Sequence, residues 1–479
     1  MRTRSTITLL ALAFGVAIAA QAGAEVPVAR TVTAVQWSAA AECRMAFKQL
    51  GPPDVCSYVD GRFIGEAQIK SYERSWVHRA LMLQRQLDAG APLIDELFAH
   101  THNSFNSSAY DTSLAQPPTP THPGYYPTLT NQDPNQVYSL TDQLRMDVRA
   151  IELDLHWFPS PFGSAQTDGN WVILCHGQTQ QLGPQAVQIG CSDDRPVQDG
   201  FAEVAAWLKA NPHEFVVLYL ENQLQASAQA HAIAGALLKQ YFGSLIMPTS
   251  KGKPCASMPY ESSRAALMAK GYRLLVVGNC DVGGPTAWGA LVHERGPKWD
   301  EGGDPSTYSI ADCAKDSAHN LAHTIFRREY EDQTFVTAVT GTNPTTDAKR
   351  PVSRDNAALM ARCGVNLVGF DQLRPDDGRL SGLVWSWAVD EPNGHGCAYQ
   401  GADTRFHIAA CATPKAFACL SPQGTWKVAA LPDSWDQGRV ACAKVGRGYV
   451  FATPVNGLRN ALLADAKGHL ADVWLSTKA

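Results

Sequence analysis

Seven short apolar runs alternate with stretches of helical spacing, and that alternation restricts the chain to a parallel sheet wound with helices. The runs are Leu93–His100, Val148–Leu155, Trp171–Cys175, Phe215–Leu220, Arg273–Gly278, Thr334–Val339 and Asn366–Phe370. Helical stretches such as Gly200–Ala210 and Ala226–Phe242 lie between them. An eighth strand fits near Gly289–His293 or Leu383–Ala388, and eight strands close a barrel. A doubly wound sheet would carry a glycine-rich turn after its first strand. Here that strand runs into Thr101-His102-Asn103-Ser104. The expected fold is therefore α/β, a (β/α)8 TIM-type barrel over residues 93–392, with its site at the C-terminal ends of the strands.

Those strand ends carry chemistry in a set order: His102-Asn103, then Glu152-Leu153-Asp154, then His176-Gly177, then Glu221-Asn222. Side chains two apart on a strand share a face, so Glu152, Asp154 and His156 point one way and Ile151, Leu153 and Leu155 the other. Neighbouring carboxylates repel unless a proton or a cation lies between them. Glu221 ends the apolar run Phe215–Leu220, where a carboxylate is costly without a partner. With the neutral oxygen of Asn103, the three acids make a hard-cation site suited to Ca²⁺. For any one acid alone, a salt bridge to Lys or Arg is the ordinary alternative. His102 and His176 flank this site and suit work on a phosphodiester, one stabilising charge on phosphorus and the other protonating a leaving oxygen. His100 reads as structural, and His156 lies close enough to meet a substrate.

The flanks add context. Arg2 and Arg4 precede an apolar stretch from Ile7 to Ala20, and Ala22-Gly23-Ala24 offers a cleavage site, so 1–24 reads as a secretory signal and the mature protein as secreted, extracellular or periplasmic. No later run is long enough to span a bilayer. A helical lead-in over 25–92, with Trp76, Ala80, Leu83 and Leu87 at helical spacing and Gly90 as its stop, packs on the barrel. The loop from Ser104 to Ser139 reads equally as a substrate cover or a surface excursion. Residues 393–479 read as a small disulfide-supported β-rich module with little helical periodicity before Asn456. The 12 cysteines fall in sequence-local pairs, Cys43 and Cys56, Cys175 and Cys191, Cys255 and Cys280, Cys313 and Cys363, Cys397 with Cys411, and Cys419 and Cys442, which agrees with an oxidising compartment. A net charge of −5 without a basic run gives no footing for nucleic acid.

In combination, these segments resemble the X-region of the secreted Ca²⁺-dependent phosphoinositide-specific phospholipase C family. The resemblance rests on Thr101–Asn106, Ser139–Leu144 leading into Val148–Trp157, Cys175-His176-Gly177 and Leu220-Glu221-Asn222, with support from Trp76–Leu81 and Asn366–Asp371, and covers roughly 70–390. It implies calcium held by Asn103, Glu152, Asp154 and Glu221, with His102 and His176 as the catalytic histidines. It also implies attack of an inositol 2-hydroxyl on phosphorus, which releases diacylglycerol and leaves an inositol cyclic phosphate; Glu152 and Glu221 are both candidates for the base. The expected partner is phosphatidylinositol or a related inositol phospholipid at a membrane surface. Trp385 and Trp387 are candidates for a lipid-facing rim, with core packing the alternative. Two rival readings are a glycerophosphodiester phosphodiesterase, which would show His-Arg-Gly at His102-Asn103, and a non-catalytic secreted protein that binds lipids or glycans.

Overall fold

A computed structural model of the chain describes residues 67–107, 135–159, 170–176, 178–182, 185–189, 195–224, 227–250, 253–280, 287–302, 324–332, 351–470 and 472–478. Eight parallel strands follow one another around a curled sheet: β1 (Phe98–Thr101), β2 (Ala150–Pro159), β3 (Val216–Gln223), β4 (Leu274–Gly278), β5 (Val292–Glu294), β6 (Trp299–Glu301), β7 (Phe326–Tyr330) and β8 (Leu367–Phe370). From β1 to β5 and from β6 to β8 each strand pairs with the next in sequence, and β8 returns to pair with β1. No pairing joins β5 to β6 among the described residues, so this (β/α)8 barrel is open along one seam and is not the closed ring expected.

Inward-facing side chains form layers, as the two-residue period of a strand requires. Phe98, Ala150, Val217, Leu275, Phe326 and Leu367 fill the floor with a buried apolar cluster. Above it His100, Glu152, Tyr219 and Arg328 meet as a polar layer. Outward-facing Ile151, Leu153, Leu155, Leu218 and Val276 join the helix-side core with Phe201, Val204 and Leu238. Gly369 is required in β8, because a Cβ there would lie 2.6 Å from the Tyr330 Cβ and 2.9 Å from His100 Cδ2.

Several expectations are corrected. Asn170–Leu174 pairs antiparallel with β2, Leu155 opposite Leu174, so the segment read as the barrel strand Trp171–Cys175 is the return arm of an extended β2. His176 therefore stands beyond a hairpin arm and not on a barrel strand. β6 and β7 went unread, since three of the five residues in Phe-Arg-Arg-Glu-Tyr are charged and mask a strand whose Phe326, Arg328 and Tyr330 alternate inward. Leu383–Ala388 forms no strand, and β5 takes the alternative place at Val292–Glu294. Trp385 and Trp387 are 5% and 2% exposed, set edge-on against Phe406 in the core and not at a lipid-facing rim. Residues 1–24, 108–134 of the first loop, Gly177, the Thr334–Val339 run, and Cys43, Cys56, Cys191 and Cys313 lie outside the described residues.

The lead-in helix α1 (Trp76–Asp88) starts at Ser75, whose Oγ accepts from the His78 N–H at 3.2 Å. It straps the barrel through Asp147, which sits at φ 66° just before β2. The Asp147 carboxylate accepts from the Tyr72 hydroxyl, His78 Nδ1 and Arg85 Nη2, each at 2.8 Å. Burial pushes this carboxyl up, but Arg85 and the His78 hydrogen bond outweigh it and hold it well below the usual range. A depressed carboxyl contributes stability above its unfolded value of 3.8, and loses that contribution as the pH falls toward its folded value. Asp147→Asn is expected to cost roughly 3–5 kcal/mol in urea unfolding at neutral pH, because it leaves buried cations unpaired. The gap to the parent protein should narrow below about pH 4.

The C-terminal residues form a second, six-stranded sheet of Phe406–Ala409, Cys397–Gln400, Val473–Lys478, Lys415–Leu420 and Trp426–Asp433 in spatial order, with Val450–Phe451 also on Lys415–Leu420. Bridges Cys397–Cys411 and Cys419–Cys442 join it, and Cys255–Cys280 closes a loop of the barrel. Cys175 and Cys363 are also disulfide-bonded. The helix Gly438–Val445 stands before Asn456, where little helical periodicity was expected. Cys442 ties it to the neighbouring strand, so tertiary packing holds a helix that its short sequence does not announce. No helix among the described residues is long and apolar enough to cross a membrane.

Candidate active site

Strand register alone begins the site. In the parallel pair β2–β3, Asp154 lies opposite Glu221 and Glu152 opposite Tyr219. In β1–β8, Thr101 lies opposite Phe370, so the next residues, His102 and Asp371, emerge together at the rim. A tight turn follows β1, with Asn103 at φ 43° in the left-handed region that Asn tolerates. The turn is pinned to β2: the Asn103 N–H donates to Glu152 Oε2 at 3.1 Å, and the Glu152 N–H donates to Ser104 Oγ at 2.9 Å. Gln136 Nε2 fastens it from the other side, donating to the carbonyls of His102 and Phe370 at 2.7 and 2.8 Å.

Glu152, Asp154 and Glu221 come together, each offering one oxygen within 4.8 Å of the others. Glu152 also has the ordinary partner of a buried acid: Arg328 Nη2 lies 2.5 Å from its Oε2. Its other oxygen, Oε1, is buried without a hydrogen bond. Burial opposes ionisation of Glu152, yet Arg328, His102 and His100 together outweigh it and hold the carboxyl well below its usual range. Burial, then Glu221 and Glu152, push Asp154 well above its ordinary value. Burial and Glu152 raise Glu221, whose Oε1 accepts from Gln223 Nε2 at 2.8 Å. Three carboxylates against one guanidinium leave two negative charges and an orphaned oxygen, which fits an oxygen-ligated dication.

Asn103 lies between this cluster and His176. In the orientation that satisfies its neighbours, its amide nitrogen donates to Asp154 Oδ2 at 2.8 Å and its oxygen accepts from His176 Nε2 at 3.2 Å. The His176 Nδ1 faces Asn106 Nδ2 at 3.2 Å. Asn106 as donor and Asn103 as acceptor assign the neutral tautomer with its proton on Nε2. Burial lowers His176 to about 4, and the charge of His102 adds to the effect.

His102 behaves oppositely. Its Nδ1 lies 3.3 Å from Asp371 Oδ1, and its ring packs on Tyr330 with centroids 4.6 Å apart. Burial alone would lower it, but Asp371 and Glu152 raise it to about 9. His102 is thus an imidazolium across the neutral range and loses its charge as the pH climbs through about 9. Asp371→Asn is expected to move the alkaline limb of kcat/KM down by roughly 1–3 units, the usual effect of an opposite charge at contact distance. A pH–rate profile of both proteins checks this, and an unmoved limb would count against the pairing.

All six expected site residues thus converge on one mouth. His100 is structural as expected, with Nδ1 at 3.2 Å from the Ala150 carbonyl, although Nε2 also lies 3.5 Å from Glu152. His156 is fully buried one pleat beyond Asp154 on β2, and its charge acts on His176. Arg328, Tyr330 and Asp371 went unread as site members. The aspartate follows an apolar strand just as the other site acids do, which was its available signal. Arg328 had none, because β7 itself was not recognised.

An acid cluster and two histidines thus stand at the C-terminal rim of a (β/α)8 barrel, the face on which such barrels carry their active sites. The family described as the Rv2075c PI-PLC-like domain matches residues 62–377, and the chain belongs to it. It is 34% identical over 452 residues to Mycobacterium tuberculosis protein Rv2075c of strain H37Rv, covering 91% of this chain and 86% of that one. The same values hold for the protein MT2135 of strain CDC 1551. Among solved structures, the phosphatidylinositol-specific phospholipase C from Listeria monocytogenes is similar at 12% identity and TM-score 0.39, over 63% of this chain and 98% of that one. A calcium-dependent phosphoinositol-specific phospholipase C from Pseudomonas sp. is similar at 13% identity and TM-score 0.24, over 61% and 92%.

Proposed function

We propose that the chain is a secreted, calcium-dependent phosphodiesterase that cleaves phosphatidylinositol-type lipids to diacylglycerol and an inositol cyclic phosphate. The observation that carries this reading is the orphaned Glu152 Oε1 within reach of Asp154 and Glu221, two acids whose affinity for protons burial and Glu152 raise. Asn103, Glu152, Asp154 and Glu221 would hold Ca²⁺. A bound calcium ion lowers the pKa of a coordinated hydroxyl and offsets phosphate charge. Turning the Asn103 amide oxygen toward a cation held by the acids would also take that oxygen off His176 Nε2, freeing the imidazole for substrate.

His102, cationic through Asp371, donates to a phosphoryl oxygen and stabilises the pentavalent transition state. His176, protonated to the imidazolium beside the substrate's phosphate, delivers the Nε2 proton to the leaving diacylglycerol oxygen and returns to the neutral ring. The substrate's phosphate anion raises this histidine toward a working range by the same charge effect that His102 exerts in reverse. Glu221 suits the base better than Glu152, because it carries no guanidinium and its affinity for protons is raised. The 12 cysteines and the three described bridges support an oxidising, extracellular or periplasmic setting. Residues 93–392 are assigned to the catalytic barrel and 393–479 to the appended module, with 25–92 as the lead-in and 1–24 as the export signal.

Release of inositol phosphate from phosphatidylinositol and of choline from glycerophosphocholine, each with calcium, tests the substrate class. Preference for phosphatidylinositol supports the proposal; preference for glycerophosphocholine would assign a glycerophosphodiesterase. Headgroup binding without turnover of either would assign a binding protein.

A further inference from the structure

A cavity of about 370 Å³ lies where the barrel meets the C-terminal sheet, between the helices Arg354–Cys363 and Gly457–Lys467. It shares no lining residue with the catalytic mouth. Its volume falls in the range of small-ligand sites. Leu359, Val384 and Trp385 give it an apolar wall, while Arg362 and Arg405 supply two guanidinium groups. Its walls are closely fitted, because a Cβ on Gly457 would stand 2.3 Å from the Ala361 carbonyl oxygen.

The cavity is rich in donors that lack acceptors. Arg405 Nη1 and Trp385 Nε1 are both buried without a hydrogen bond. An unmet buried donor costs about 1–3 kcal/mol, and both residues belong to the cavity lining. Neither lining guanidinium forms an ion pair among the described residues, and the lining carboxylates do not fill that need. Asp403 Oδ1 is taken up by His407 Nε2 and by the Arg405 N–H, both at 3.0 Å. The Asp355 side chain is 90% exposed. Burial disfavours the Arg405 cation, Asp403 offsets part of that cost and the charge of Arg354 adds to it, and a bound anion would relieve the remainder.

We propose that this cavity is a second binding site, which takes an organic anion with a phosphate group on Arg405 and Arg362 and an apolar body against Leu359, Val384 and Trp385. Two guanidinium forks suit a phosphate's several acceptor oxygens, which they can bind in bidentate fashion. The phosphate can belong to a soluble ester or to a lipid headgroup.

Calorimetric titration of the full chain with phenyl phosphate tests the site. The expected result is saturable binding that weakens about tenfold or more in Arg405→Gln and in Arg362→Gln, loss of a charged bidentate contact being worth that much. The only partly buried Arg362 keeps the test meaningful if the Arg405 variant folds poorly. Binding should persist in His176→Ala, which alters only the catalytic mouth. Sedimentation with phosphatidylcholine vesicles, with and without phosphatidic acid, separates the sources. Arg405-dependent capture by phosphatidic acid assigns a lipid headgroup, and phenyl phosphate binding without capture assigns a soluble ester. Absent saturable binding, binding insensitive to both arginine substitutions, or binding lost in His176→Ala would overturn the proposal.

Discussion

His176→Ala lowers turnover of phosphatidylinositol by roughly 10²–10⁴-fold, the range for removing a positioned general acid. The fold should tolerate the change. His176 follows a hairpin arm at the rim, and its polar contacts are with Asn103 and Asn106, not with the barrel floor. The melting temperature therefore stays close to that of the parent. A substrate whose leaving group needs no proton gives the sharper discrimination. With a 4-nitrophenyl ester of inositol phosphate, most of the lost rate returns if His176 protonates the leaving oxygen. An equal loss with both substrates would move His176 to another role. The parallel His102→Ala variant should show no such recovery, since its imidazolium acts on the phosphoryl oxygens whatever the leaving group.

Asp154→Asn is the second large effect. Activity with calcium should fall by about 10²–10³-fold, the cost of losing a preorganised charge contribution in a buried site. Stability moves in the opposite sense. Burial, Glu221 and Glu152 raise the Asp154 carboxyl well above its unfolded value, so its ionised form weakens the metal-free protein at neutral pH. That penalty is relieved as the pH falls and the carboxyl takes its proton. Under chelator at pH 7, the Asn variant should therefore melt at or above the parent temperature. Added calcium should raise the melting temperature of the parent by mass action and leave the variant nearly unmoved. A variant that melts well below the parent under chelator would show that the three acids do not repel one another as described.

Much of this site was legible because strand physics is local. Glu152 and Asp154 share a face by the two-residue period, and Glu221 ends a run too apolar to house an unpaired acid. Five of the eight barrel strands lie in or overlap apolar runs placed from the sequence, β5 was an anticipated alternative, and α1 follows its heptad-like spacing. Failure came where long-range contacts decide. The strand β7 is charged, and only the ring around it shows that Arg328 answers Glu152 from 176 residues away. Trp171–Cys175 has the composition of a buried parallel strand, yet it pairs backwards onto β2, and direction is set by the partner and not by the residues. The same reasoning explains Asp371: its residue type was visible, but its purpose appears only when the β1–β8 register sets it beside His102. The seam between β5 and β6 left no mark in the sequence, since both strands are three residues long.

Phosphorus NMR of the products from phosphatidylinositol, run with calcium and again with chelator, tests the central claim most directly. Inositol cyclic phosphate should accumulate with calcium and be absent with chelator. Equal product formation under both conditions would contradict a metal role for Asn103, Glu152, Asp154 and Glu221.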